Sequence, residues 1–223
     1  MKLETTPSNT RRQVPLSAKL ILTAFVALMV PSYWKAYGPT NFLYFCDVAL
    51  LLTCLGAWLE SSLLISMCCV GILIPQLLWL TDFGCRLFGY TLTGMTGYMF
   101  NPKITLFARG LSFFHGWLPI VLIWLLVRLG YDKRAFLCWG FLGTGLVLIS
   151  YAFLPAAGSV RPFPTCPINI DYVWGFNDAQ PQHWMGQRLY VVTYIAALWL
   201  VLYVPTHLVL SKLVGSKVNA RKA

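Results

Sequence analysis

Leu106 to Leu129 reads LFARGLSFFHGWLPIVLIWLLVRL. The stretch is long and apolar enough to cross a bilayer, since about 20 apolar residues span the hydrocarbon core. Yet Arg109, Ser112 and His115 recur in it every third residue, which places them on one helical face, with Gly116 and Pro119 a turn further along. At ~1.5 Å per residue, His115 lies roughly 13 Å inside the segment, near the middle of a core ~30 Å thick. A lone imidazole in lipid is costly, so this face is expected to look inward, toward other helices or a water-filled cavity. The rest of the chain then becomes the casing around it.

Composition agrees. Of 223 residues, 58% are hydrophobic and 11% charged, where a soluble domain carries about 25% charged residues. The length suffices for one helical bundle and leaves no room for a large second domain. A net charge of +10 raises the question of nucleic acid. The basic residues, however, sit in tails and loops beside apolar runs, where they set topology and contact anionic lipid. The partner this implies is the lipid bilayer, with no nucleic acid.

The expected fold is all-α, a polytopic transmembrane helical bundle of six spans at about 14–33, 41–58, 63–81, 106–129, 136–154 and 188–213. A basic tail at 1–13 precedes it and another at 214–223 follows it, with two long outward-facing loops at 82–105 and 155–187. Pro15 and Pro31 fit the ends of the first span. No small-x-small cleavage site precedes Ser32, and Tyr33-Trp34 reads as an interfacial anchor, so that span is expected to stay uncleaved. Pro75 is expected to kink the third span. Gly140, Gly143 and Gly145 mark the fifth for close helix approach.

The glycine- and aromatic-rich segment 82–105 has the pattern of an interfacial segment, a re-entrant loop or a seventh span. Charge decides against a full crossing. With six spans, eleven of the seventeen basic residues lie on one side: Lys2, Arg11, Arg12, Lys19, Arg128, Lys133, Arg134, Lys212, Lys217, Arg221 and Lys222. An extra crossing would put the Arg128–Arg134 turn and the basic C-terminus outside, against the positive-inside rule. Both termini are therefore expected in the cytoplasm, with the chain multi-pass in the cell (inner) membrane. Five prolines break regular helix in 155–187, and Tyr172, Trp174, Phe176 and Trp184 suggest an ordered cap there.

The segments YGPTNFLYFCDVAL (37–50), YMFN (98–101), LSFFHGWLP (111–119), RLGYDKRA (128–135), VWGF (173–176) and VPTHL (204–208) resemble a family of bacterial multi-pass membrane proteins, over roughly residues 33 to 210. That resemblance implies the fold and brings no assigned activity. The chain is more loosely similar to six-helix membrane hydrolases and acyltransferases of the androgen-induced and YwaF-like type, which place a histidine inside the bundle. No nucleophile motif of theirs matches a position here.

The chemistry-bearing constellation is Asp47, His115, Ser112, Arg109 and Gln76. Asp47 lies roughly 9 Å below Asn41 and His115 roughly 13 Å below Leu106, on spans of the same direction, so the two are expected to meet at similar depth. A carboxylate bonded to an imidazole orients it and stabilises its protonated form, which suits general acid–base work. Ser112 or Cys46 then becomes the candidate nucleophile, with Arg109 and Gln76 binding substrate. The alternative is a buried polar network that only fixes helix register. His207 is expected to serve the carbonyl freed by Pro205. Cys85 and Cys166, alone in the long loops, are candidates for a disulfide. The three histidines fall in separate segments, so no metal site is expected, and no glycine-rich phosphate loop or other cofactor signature is present.

Two functions fit these residues. One is an intramembrane hydrolase or transferase acting on a lipid or lipid-linked substrate at the outer leaflet, with the 155–187 cap as lid. The other is a non-catalytic scaffold or accessory subunit that binds another membrane protein. Small-solute or ion transport fits less well, because intramembrane charge is sparse and no internal repeat is present.

Overall fold

The computed structural model describes residues 13–220, with side chains described through residue 214. The N-terminal basic tail and most of the C-terminal one lie outside the described side chains. Among the described residues the fold is all-helical: α1 (Leu16–Tyr37), α2 (Phe45–Leu59), α3 (Ser62–Leu87), α4 (Leu106–Leu111), α5 (Phe114–Leu129), α6 (Ala135–Phe153), α7 (Gln187–Ala197) and α8 (Val204–Ala220). Five segments are long and apolar enough to cross a membrane: Leu16–Tyr37, Ser62–Leu87, Leu106–Leu129, Ala135–Phe153 and Gln187–Val214.

The second expected span departs from that length. Pro39 opens a 3₁₀ turn over Pro39–Leu43, Tyr44 is extended, and helix begins only at Phe45. At ~1.5 Å per residue α2 is about 22 Å long, short of a ~30 Å core. It ends where Glu60 adopts the left-handed conformation (φ 49°).

α3 is the axis of the bundle, packing against α2, α5 and α6. Its apolar run from Ile65 to Leu73 is buried. Close approach follows the missing side chains. Gly71 of α3 faces the Trp139 indole, Gly140 of α6 faces the Trp199 ring, and Gly143 faces the Tyr203 hydroxyl, whereas Gly145 faces open space. Large apolar side chains such as Ile21, Ile120, Phe141 and Leu200 point away from the bundle while Asp47, Gln76 and Ser112 are buried within it. That is the inversion a lipid-facing bundle needs.

Two expected spans are interrupted. At Ser112–Phe113 the amide of Phe113 donates to the Gly110 carbonyl, His115 to Ser112 and Gly116 to Phe113, all three residues back. This 3₁₀ turn separates α4 from α5. The last span changes to a π-helix over Leu198–Tyr203, between α7 and α8. Pro205 follows at once and has no N–H to donate, so an inserted π-turn absorbs the mismatch. His207 does not serve a freed carbonyl: its Nδ1 is 2.7 Å from the Tyr131 hydroxyl, and its ring packs on Phe136.

Carboxylates tie the non-helical segments down. At the end of the bundle with short turns, Glu60 accepts from the Gln13 and Val14 amides and from Lys19 Nζ (2.7 Å). The Lys19 ammonium and the Gln13 amide hold its carboxyl below the usual range. At the opposite end Asp82 accepts from the amides of Thr93, Gly94 and Thr96 and from the Thr96 hydroxyl, fixing segment 82–105 against the end of α3. Segment 155–187 is an ordered cap knotted by Asn169. The Asn169 Nδ2 donates to the Gly175 carbonyl, and its Oδ1 accepts from the Trp174 amide. Thr165 donates to the Ala36 carbonyl at the end of α1.

The expected Cys85–Cys166 bridge is absent, and both thiols are free. Cys85 belongs to the last turn of α3, while Cys166 is buried in the cap with its thiol turned to the Pro167 carbonyl. Hydrogen bonds of Asp82 and Thr165 hold the two segments without it.

Candidate functional site

The site is built around the break in the central helix. Ser112 ends α4, and its backbone carbonyl, released from the α-helical ladder, lies 2.7 Å from His115 Nδ1. A carbonyl oxygen only accepts, so Nδ1 carries the proton and donates. In the neutral ring Nε2 is then a free lone pair. The imidazole is stacked on the Trp79 indole, with centroids 4.9 Å apart and planes inclined by 18°. Flanking aromatic walls fix its plane without spending either nitrogen.

The Ser112 hydroxyl is engaged elsewhere. It is 2.6 Å from the Tyr33 hydroxyl and 3.2 Å from the Ala108 carbonyl, to which it donates. Neither imidazole nitrogen bonds it, so the structure does not assemble the serine–histidine pair that a nucleophile requires. The Tyr98 hydroxyl lies within reach of Ser112 and accepts from Trp79 Nε1 at 3.2 Å. Arg109 donates from its guanidinium to the Met99 carbonyl at 3.0 Å, and its Nε is buried without a partner.

Asp47 and His115 do not bond directly, contrary to the depth-matching expectation. Asn41 Nδ2 donates to Asp47 Oδ2 at 2.7 Å instead. The physical reason is the late start of α2. With helix beginning at Phe45, Asp47 falls in its first turn, beside the 3₁₀ segment that carries Asn41. Gln76 is buried, and neither its amide nitrogen nor its oxygen has a partner. Asp47 Oδ1, Asp171 Oδ2 and the Tyr37 hydroxyl are orphaned in the same way. Such groups typically cost ~1–3 kcal/mol each, more for a charge, so they are places for water or a polar ligand.

Several residues of this arrangement escape the sequence. Tyr33, expected at the interface, is buried and bonded to Ser112 across 79 positions. Asp171 accepts from the Phe45 amide at 3.2 Å and so caps α2 from 126 positions away. Its one local signal is an acid set among Ile170, Tyr172, Val173 and Trp174. Tyr98 and Trp79 carry no signal that separates them from other interfacial aromatics. Cys46 is beside Asp47 in the chain, and its thiol has no base bonded to it among the described hydrogen bonds.

Among the described residues, no three His, Cys, Asp or Glu side chains come together as a metal site. Comparison with known proteins finds no matching family model, no similar curated protein and no matching solved structure. The short segments that resemble bacterial multi-pass proteins therefore gain no wider support.

Proposed function

We propose that the protein spans the cell (inner) membrane six times, with both termini in the cytoplasm and segments 82–105 and 155–187 outward. In this arrangement it binds the polar head of a lipid or lipid-linked molecule at the outer leaflet and acts on it as a hydrolase or transferase. The observation that carries the reading is His115, held by its Nδ1–H on the Ser112 carbonyl so that Nε2 is left as a base. Arg109 supplies guanidinium donors for a phosphate or carboxylate, and Gln76 supplies a buried amide with both ends unspent. Ser112 and Asp47 have support roles here. Ser112 presents its carbonyl to His115 and its hydroxyl to Tyr33, while Asp47 acts at the start of α2. The nucleophile is then water or a hydroxyl of a second substrate: its oxygen bonds the acyl or phosphoryl centre as its proton passes to Nε2, the bond to the departing alcohol oxygen breaks, and Nε2 returns the proton to that oxygen.

The test compares the lipidomes of cells carrying wild-type protein and His115→Gln at matched membrane levels. Glutamine keeps a hydrogen-bonding side chain and transfers no proton near neutral pH. Loss of a wild-type lipid change supports the enzyme; an identical lipidome in cells with and without the protein overturns it.

A scaffold or accessory-subunit role has one observation in its favour. Leu87, Phe88, Tyr90 and Leu92 are all exposed on the segment that Asp82 holds rigid. This apolar face suits a second membrane protein, and its replacement by serines would then abolish function while His115→Gln preserves it.

A further inference from the structure

On one side of the bundle, a chain of aromatic rings leads from the surface to His115. The His115, Trp79 and Phe83 rings form a near-parallel stack. Imidazole and indole are 4.9 Å apart and inclined by 18°, and the indole and Phe83 ring are 5.3 Å apart and inclined by 5°. Phe113 meets Phe83 edge-on at 5.3 Å, and Phe100 meets it at 5.6 Å. Trp79 is 5% exposed, whereas Phe113 and Phe100 are 47% and 38% exposed. Phe113, Phe83 and Trp79 therefore link the outside of the bundle to the imidazole through ring contacts.

The seam between α3 and α4–α5 is packed differently from the rest of the bundle. Gly71 and Gly140 are covered by the indoles of Trp139 and Trp199. Here, a Cβ on Gly84 or on Gly110 would meet nothing within 4 Å, and one on Gly116 would meet only the tip of Leu80, at 3.5 Å. Gly84 adjoins Phe83 in α3, and Gly110 lies three residues before Phe113. The surface beside the rings is recessed at both glycines. Phe113 itself sits on the 3₁₀ turn, its amide bonded to the Gly110 carbonyl. A change of χ1 between staggered wells swings its ring aside and leaves that bond intact. Exposed side chains make such changes in picoseconds to nanoseconds.

Both halves of an amphipathic ligand find partners at this seam. Gln76, one turn before Trp79 on the same face of α3, is buried with both amide ends unpaired. Arg109 donates to the carbonyl of Met99, the residue before Phe100, and its Nε is buried without a partner. Leu106 and Phe107, on the α4 turn that carries Arg109, are exposed and apolar. Hydrogen-bonding groups and chain-facing surface thus meet at one aromatic wall.

We infer that the seam between α3 and α4–α5 is a side entrance for a bilayer lipid, with Phe113 as its movable ring. The acyl chains lie in the recess at Gly84 and Gly110, and the polar head passes Phe113 and Phe83 to reach Trp79 and His115. This rests on the reading of His115 as a base at the outer leaflet and adds the route and the substrate class. The substrate is a lipid that stays anchored in the leaflet by its chains, in place of a water-soluble molecule arriving from outside.

The test is photocrosslinking of the full chain in phosphatidylcholine vesicles that contain phosphatidylglycerol with a diazirine on its acyl chain close to the glycerol. Peptide mass mapping reads the adducts. Wild type should carry adducts on buried Trp79 as well as on exposed Phe107 and Phe113. Gly110→Trp fills the recess and should lower the Trp79 adducts about tenfold or more while those on Phe107 persist. Ile120→Trp, on the exposed face of α5, controls for added bulk and should leave both unchanged. Wild-type adducts confined to Phe107 and Phe113 overturn the entrance, as does a Trp79 yield equally reduced by Gly110→Trp and Ile120→Trp. Crosslinking reads binding without chemistry, so the two readings fail separately. Trp79 adducts with an unchanged lipidome keep the entrance and remove the enzyme; a lipid change without Trp79 adducts keeps the enzyme and removes the entrance.

Discussion

The indole of Trp139 occupies the place where a side chain on Gly71 would begin: a Cβ built there falls 1.8 Å from the ring. α3 and α6 are thus locked by one absent methyl and one large ring.

Gly71→Ala is expected to force the two helices apart. Overpacking of this kind typically costs ~1–3 kcal/mol. Thermal unfolding in detergent should show a marked fall in midpoint, while Gly145→Ala, which meets open space, leaves it nearly unchanged. Equal effects of the two would contradict the packing.

Ser112 separates support from chemistry. Ser112→Ala keeps the backbone carbonyl that holds His115 and deletes only the hydroxyl bonded to Tyr33. It should destabilise by ~1 kcal/mol and leave most of any lipid conversion intact. His115→Gln should reduce that conversion roughly a hundredfold or more. A complete loss with Ser112→Ala at normal stability would restore serine as nucleophile.

Asp82 is expected to control one segment alone. Its two oxygens accept two hydrogen bonds each from residues 93–96, and an asparagine NH₂ in place of one oxygen cannot accept the two made there. Limited proteolysis of Asp82→Asn should cut faster within 88–105, with the rest of the chain protected as before. Uniform loss of protection would point to bundle damage instead.

Six crossings require both termini on one side. Protease access to a tag after Ala223 and to a tag before Met1, in sealed inside-out vesicles, should be equal and high. Opposite accessibilities would mean that an odd number of segments crosses.

Thiol mapping of protein from intact membranes should recover Cys85 and Cys166 as free, separately alkylated residues. Recovery of a linked peptide would show that the cap and α3 come closer than the structure places them.

Hydropathy and charge were enough to find the helices that are uniformly apolar. The runs at 63–81 and 136–154 correspond to Ser62–Leu87 and Ala135–Phe153, because burial in lipid and burial in protein select the same residues there. They did not reveal the breaks at Ser112–Phe113 and Leu198–Tyr203, since both stretches stay apolar while the hydrogen-bond ladder changes pitch. The candidate residues Ser112, His115 and Gln76 were legible as polar groups in apolar surroundings. Their surroundings were not: Tyr33 meets Ser112 across 79 positions and Asp171 meets Phe45 across 126, and helical periodicity carries no information about contacts at that separation. Depth alone did not reveal that Asp47 bonds Asn41 rather than His115 directly, because depth counts residues from an assumed helix start, and α2 starts later.

The cap on α2 has a consequence for the order of assembly. Phe45 receives its acceptor from Asp171, which a ribosome adds only after α1 to α6 have been made. Until then the first amide of α2 has no carboxylate to bind. α2 must therefore form incomplete and be finished late, when the chain beyond α6 folds back over it. Nascent chains stalled before residue 171 should hold α2 loosely, however firmly their longer helices are already set.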